Sequence, residues 1–160
     1  MTTIRISTTG EPLTSEQKAH LADRVTEAFA QVEVGNDSPR IRRGFLVQFE
    51  SLADDDLWLG RDQASVLSPS NRAALVTVRV MAGPWNAAMK ADLFDRIEKI
   101  LREVAEMPRG DDGSDIWMTF VEVPEGGWGL GGRAVAISSI APVFSKDRQE
   151  RIRTYLEQRD

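Results

Sequence analysis

Phe45-Leu-Val-Gln-Phe-Glu50 and Trp117-Met-Thr-Phe-Val-Glu122 lie 72 positions apart and read as one strand written twice. The likeness extends outward at the same offset. Thr3-Ile4-Arg5-Ile6 lines up with Leu75-Val76-Thr77-Val78, and Lys18-Ala19, Leu21, Asp23-Arg24 and Val32 return as Lys90-Ala91, Leu93, Asp95-Arg96 and Val104. A tryptophan followed by glycine-containing sequence closes each half, as Trp58-Leu-Gly60 and as Trp128-Gly-Leu-Gly131. One supersecondary unit used twice constrains both the fold and the places a site can form.

Each unit reads as strand, helix, strand. Ile4 and Ile6 alternate with Arg5, the period of a half-buried strand. Gly10-Glu-Pro12 breaks the pattern, and Thr14 followed by Gln17 three residues on is a capping box that starts a helix. Leu21, Val25, Ala28, Phe29 and Val32 share one face of that helix, and Gly35 to Pro39 ends it. In the second unit Val76, Val78 and Val80 mark the strand and Asn86 the cap. Leu93, Phe94, Ile97, Ile100, Leu101 and Val104 form the stripe, and Ile116 to Val123 the closing strand. A short strand is expected from Ala134 to Ser138 and a polar helix from about Lys146, with Ile152, Tyr155 and Leu156 on one side. Strand-helix-strand makes a right-handed crossover between parallel strands, and two such units most economically share one sheet. The expected fold is α+β: a four-stranded mixed sheet with two helices on one face, in a single domain over 1–160. Its repeats span 2–72 and 74–144, with a helical extension over 145–160. Trp117, Val121 and Val123 fall on one side of the last strand, Met118 and Phe120 on the other. A strand apolar on both sides is buried on both, so a further subunit is expected on the face the helices leave bare.

Composition removes several classes of function. Twenty basic against 25 acidic residues give a net charge of −5, which argues against a nucleic-acid surface. The absence of cysteine removes disulfides, zinc-thiolate sites and thiol nucleophiles. No apolar run reaches bilayer length and the first residues lack signal-peptide character, so a cytoplasmic protein is expected. Asp54-Asp-Asp56 and Asp111 to Asp115 miss the spacing of a calcium loop, so no metal is expected. The glycines of 126–132 lead into a strand pattern rather than a helix, which rejects dinucleotide binding. His20, the only histidine, sits at the edge of a helix stripe without triad partners.

The run from Ile116 through Gly132, the helix start Ser15-Glu-Gln-Lys18 and the segment Asp56-Leu-Trp-Leu-Gly60 resemble the tautomerase superfamily. The duplicated layout is similar to its long fused-chain branch, which includes malonate semialdehyde decarboxylase and cis-3-chloroacrylic acid dehalogenase. The resemblance covers roughly residues 2–138. It implies a homotrimer of β-α-β-β-α-β chains acting on a small-molecule carboxylate, with no cofactor. It also implies an N-terminal proline as general base, arginines at the strand-to-helix turns, and a hairpin aromatic matched here by Trp128.

The chain departs from that pattern at the chemistry. Position 2 is Thr2, whose amine, if freed, would be primary, with an ordinary pKa of about 7.7–8.0; with Met1 in place Thr2 is an amide. Glu11 stands where a turn cation is expected. The candidate proton-transfer groups are therefore Thr2 and Glu122. The candidate substrate-binding residues are Arg43, Arg79, Trp117 and Trp128. Against each stands a structural role: Glu50 and Glu122 as strand-end ion pairs, Arg5 and Arg79 on a trimer axis, Trp117 in a core, Trp128 as a plug of a subunit contact. Two functions follow. One is a keto-enol tautomerase or isomerase-like, or decarboxylase-like, enzyme on a small 2-oxo or enol acid with a reassigned base. The other is a non-catalytic trimeric binding or structural protein on the same scaffold.

Overall fold

Ile4 and Ile6 are fully buried along strand β1 (Thr2–Thr8), and the helix that follows, α1 (Ser15–Phe29), starts at the expected cap. Thr14 Oγ1 accepts from the Gln17 amide at 3.1 Å, while Gln17 Oε1 accepts from the Thr14 amide at 3.0 Å. The computed structural model describes residues 1–67, 70–109 and 115–158. After α1 come the single turn α2 (Pro39–Arg42), strand β2 (Phe45–Ser51) and a small hairpin of β3 (Trp58–Leu59) and β4 (Asp62–Gln63). The second unit supplies β5 (Ala74–Met81), α3 (Ala87–Val104) and β6 (Ile116–Val123), with Asn86 Oδ1 accepting from the Met89 amide at 2.9 Å to cap α3.

The four long strands form one mixed sheet in the order β2-β1-β5-β6. The β1–β2 and β5–β6 pairs are parallel and the central β1–β5 pair is antiparallel. Arg5 faces Thr77 across that central pair, so two positions related by the sequence repeat are direct partners and the internal two-fold passes between them. Both long helices lie on one face. Leu21, Val25 and Phe29 from α1 and Leu93, Ile97 and Leu101 from α3 meet Ile4, Ile6, Val76, Val78 and Val80 in a single core. Arg24 and Glu103 join the two helices in an ion pair of 2.6 Å. The expected architecture is the one observed.

The repeat changes offset inside each unit. Phe45, Val47 and Phe49 turn toward the helices, and so do Ile116, Met118 and Phe120, one residue earlier than a constant offset would place them. The backbone agrees: the Thr2 amide donates to the Gly44 carbonyl at 2.9 Å and the Ala74 amide to the Asp115 carbonyl at 2.8 Å. The first unit thus carries one residue more between helix and second strand. Its helix also ends in a wider π-helical turn, Ala30–Val34, which accommodates an added residue and is common at functional sites. Because side chains alternate along a strand, the slip sends equivalent letters to opposite faces. Phe45 is a core residue, whereas Trp117, its match in the constant alignment, stands on the outer face at 54% exposure.

The C-terminal part differs from expectation at one point. Strand β8 (Arg133–Ala134) pairs only with β7 (Gly129–Leu130), and the strand expected over 134–138 gives way to a helical turn, α4 (Ile137–Ile140). The physical reason is a cap: the Glu125 carboxylate accepts from the Ile137 amide at 2.8 Å and starts that turn. Helix α5 (Lys146–Glu157) then closes the end of the sheet where β1 begins and β5 ends. Met81, Ile137, Phe144 and Ile152 form a second buried cluster there, joined by Met1, Val34 and Trp128. Gly83, at φ +112°, lets α5 approach until an added Cβ would stand 3.3 Å from the Ile152 Cα. Among the described residues no helix is long and apolar enough to cross a membrane.

Candidate active site

Where β1 starts, the extra residue in the π-helical turn brings Glu33 into the protein. Its neighbours in sequence are Val32 and Val34, yet Glu33 itself is only 2% exposed. Thr2 Oγ1 donates to Glu33 Oε2 at 3.0 Å, and Thr2 is equally enclosed. Glu33 lines a cavity of about 180 Å³ with walls of Val34, Ile41, Phe45, Ile140 and Phe144. Arg40, from α2, is the one arginine on that wall, and Met1 closes it. Ile140 and Phe144 come from the C-terminal segment, so the cavity forms between the first repeat and the tail.

Burial pushes the Glu33 carboxyl above its ordinary value, against the pull of the Met1 amino group, the Thr2 hydroxyl and Arg148. Burial likewise pushes the Met1 amino group below its ordinary value, with Glu33 opposing. Both displacements favour neutral forms, since each group loses water and regains only part of that solvation from the other. Titrating groups displaced toward neutrality in this way are frequent at functional sites.

The second unit fills the matching corner. Arg102, near the end of α3, bonds both oxygens of Asp115 at 3.0 Å, and Asp115 is 1% exposed. A saturated ion pair and an apolar cavity with a buried acid thus occupy equivalent positions.

The other residues expected from sequence disperse. Glu122 shares the helix-side row Thr2–Val80–Glu122, two strand spacings from Thr2, or about 10 Å. Its carboxylate is held by Lys90 Nζ at 2.5 Å, above the Phe120 ring. Glu50 faces the opposite side of the sheet, where it accepts from Ser7 Oγ at 2.7 Å. The two glutamates are therefore not equivalent, because of the register slip. Arg43 is exposed just before Gly44 and is not part of the cavity wall. Arg79 stands exposed on the outer face, in the row with Thr3 and Val121. Trp117 is also on that face, beside Trp58 and Leu75 in an apolar pocket of about 190 Å³. Trp128 packs in the C-terminal cluster with Met1, its ring nitrogen buried without a hydrogen-bond partner. Within one chain Thr2 reaches Glu33 at the corner and Trp128 packs in the C-terminal cluster, while Arg79 and Trp117 stand on the outer face of the sheet.

Glu33, Arg40 and Phe144 escaped the sequence reading. The available signal was one charge inside Val32-Glu-Val34 at a helix end, together with the one-residue difference between the units. A larger cleft of about 540 Å³ opens at the other end of β1, lined by Glu11, Glu16, His20, Glu103 and Glu106 around Arg72. Its acidic rim disfavours a carboxylate ligand, and Arg72 is engaged by the carbonyls of Ala105 and Glu11. No cluster of three potential metal ligands occurs among the described residues. Asp54 and Asp56 cap the backbone amides of Gly10 and Ala53 at 2.9 and 3.1 Å. Of the second acidic loop, residues 111–114 lie outside the described residues.

No protein-family model matches the sequence, and no curated protein does. Solved structures do. A member of the cis-3-chloroacrylic acid dehalogenase family, N1, superposes at a TM-score of 0.67 with 19% identity, over 95% of this chain and 99% of that one. Native fused 4-OT gives 0.64 with 18% identity, over 82% and 94%. A macrophage migration inhibitory factor-like protein from Entamoeba histolytica gives 0.62 with 17% identity, over 84% and 98%. Other fused 4-OT structures are described as trimers. The fold is that of the tautomerase superfamily.

Proposed function

We propose that this chain is a keto-enol tautomerase-like acid–base catalyst for a small 2-oxo or enol acid, working as a cytoplasmic homotrimer with Glu33 in the base role. The observation that carries this reading is the Glu33 carboxyl, 2% exposed and held protonatable beside an apolar cavity. In its ionised form Glu33 takes a proton from the carbon next to the substrate carbonyl, leaving the enolate. In its protonated form it gives that proton to the enolate oxygen, and the reverse sequence turns enol into ketone. Thr2 orients it through the hydroxyl hydrogen bond, and Arg40 at the wall meets the substrate carboxylate. Should Met1 be removed, the freed Thr2 amine would be the nitrogen that now donates to the Gly44 carbonyl, beside the hydroxyl that reaches Glu33. Trp128 packs in the C-terminal cluster that Met1 also joins and supports that end of the sheet. Glu122, bound to Lys90, is assigned a structural part, and Arg43, Arg79 and Trp117 are assigned to the assembly or the surface.

Following the ultraviolet absorbance of enol-phenylpyruvate and 2-hydroxymuconate during ketonisation tests this reading. Turnover above the buffer rate is expected, falling by about 10²–10⁴-fold in Glu33→Gln. Turnover that survives this substitution would remove Glu33 from the mechanism.

A second reading, a scaffold that binds without catalysis, is favoured by Thr2 in place of a secondary amine and by Glu11 at the first turn. It requires flat traces with both enols, together with ligand-induced shifts in the resonances of Phe45 and Phe144.

A further inference from the structure

Neither the last turn of α1 nor the π-helical turn after it contains a basic residue. A helix C-terminus presents carbonyls without partners and partial negative charge, so a cation there is stabilising. The second unit meets this need within its own helix. Arg102 lies in the final turn of α3 and donates to the Met107 carbonyl at 3.3 Å, besides its pair with Asp115. The first unit has Ala30 at the matching position. Its cation arrives from α5, over a hundred residues away in sequence: Arg148 Nη2 donates to the Val32 carbonyl at 2.7 Å. The Nη1 atom of the same guanidinium would stand 3.7 Å from a Cβ added at Gly35, the left-handed residue at φ +78° that ends the turn.

We propose that Arg148 is a positioning residue, which caps the π-helical turn from the C-terminal helix and thereby holds the Glu33 carboxyl toward the cavity. The inference rests on the reading of Glu33 given above. It also gives the tail a part in the site: the helix that closes the end of the sheet supplies the charge that the duplicated unit lacks. The groups facing Glu33 are the Met1 amino group and the Thr2 hydroxyl from the start of β1 and Arg148 from α5; Arg40 from α2 lines the same cavity. Arg148 in turn has Arg151 and Asp147 near it on its own helix. Its charge favours ionised Glu33 and opposes the effect of burial.

The test is a carboxyl-carbon NMR titration of Glu33 in the full chain, comparing wild type with Arg148→Met, Arg148→Lys and the exposed control Arg153→Met. Arg148→Met should raise the Glu33 midpoint by about half a pH unit or more, Arg148→Lys should restore most of it, and Arg153→Met should leave it in place. The acid limb of any enol turnover should move with the midpoint. A Glu33 midpoint that stays put in Arg148→Met, or moves equally in Arg153→Met, overturns the proposal. If Arg148→Met does not fold, Arg148→Gln, which is shorter and uncharged, decides through hydrogen exchange. The capping role requires faster exchange of the Gly35 amide, which bonds the Ala30 and Gln31 carbonyls at 3.0 Å, and unchanged exchange overturns it. The two readings fail separately. A wild type without turnover whose Glu33 still shifts in Arg148→Met retires the enzyme and keeps the cap. Turnover lost in Glu33→Gln with no shift in Arg148→Met does the reverse.

Discussion

Glu33 is destabilising where it stands, and the cost depends on pH. Its folded pKa lies above the ordinary 4.5, so between the two values the folded chain binds more protons than the unfolded one. Stability therefore falls as pH rises through that window, and the loss remains above it. The Met1 amino group gives the opposite slope: its folded pKa lies below 8.0, so stability is recovered as pH rises from the folded value toward 8.0. Glu33→Gln removes the first slope and keeps a polar partner for Thr2. Thermal unfolding of this variant between pH 4 and pH 8 should show a higher midpoint than wild type at neutral pH, and little difference at pH 4. An equal gain at both ends would place the effect in packing instead. Thr2→Val acts on the same atom differently, because it deletes the donor to Glu33 Oε2. It should raise the Glu33 midpoint further and lower turnover about tenfold at pH 6, with recovery at higher pH; a uniform loss at every pH would speak against this coupling.

At the scale of the element, the two repeats solve one problem in two ways. The corner between helix end and second strand is closed in unit two by Arg102 and Asp115, at 15% and 1% side-chain exposure. Arg102→Met withdraws the guanidinium from a buried carboxylate and should cost about 3–5 kcal/mol, read as a fall in the urea midpoint at constant slope. A cost under about 1 kcal/mol would mean that the pair behaves as a surface bridge. In unit one the same corner is opened by the π-helical turn. Gly35 ends that turn in a left-handed conformation that other residues adopt with strain. Gly35→Ala should cost about 1 kcal/mol and disturb Glu33 before the rest of the fold. A chemical-shift map centred anywhere but residues 30–35 would contradict this.

For the whole molecule, the helices cover one face of the sheet and the other carries Leu46, Trp117 and Val121 at 62%, 54% and 38% exposure. These side chains flank a polar centre of Arg5, Gln48, Thr77 and Thr119. Such a band of apolar surface at a sheet's rims is suited to covering by further copies. The homotrimer of the proposed function would form through this face. Trp117→Arg with Leu46→Arg should convert it to smaller species in sedimentation equilibrium while circular dichroism stays unchanged. An unaltered mass would place the interface elsewhere.

The fold was legible because its evidence is local and repeated. The capping box at Thr14, the stripe of Leu93, Ile97 and Leu101 and the alternation at Ile4–Ile6 each depend on residues a few positions apart. The duplication then left few ways to combine them. The site was only partly legible. Thr2 was picked out only through the family resemblance, which sets a base at position 2, and the Glu50–Glu122 equivalence failed on a one-residue slip that letters alone do not reveal. Glu33 and Arg148 stand 115 positions apart and come together only when α5 docks on the turn at Gly83. Sequence by itself determined the four long strands, the two long helices and their layering, since periodicity and caps act within a few residues. Tertiary structure decided which carboxyl is buried and which cation faces it, since desolvation and pairing depend on contacts between segments remote in the chain.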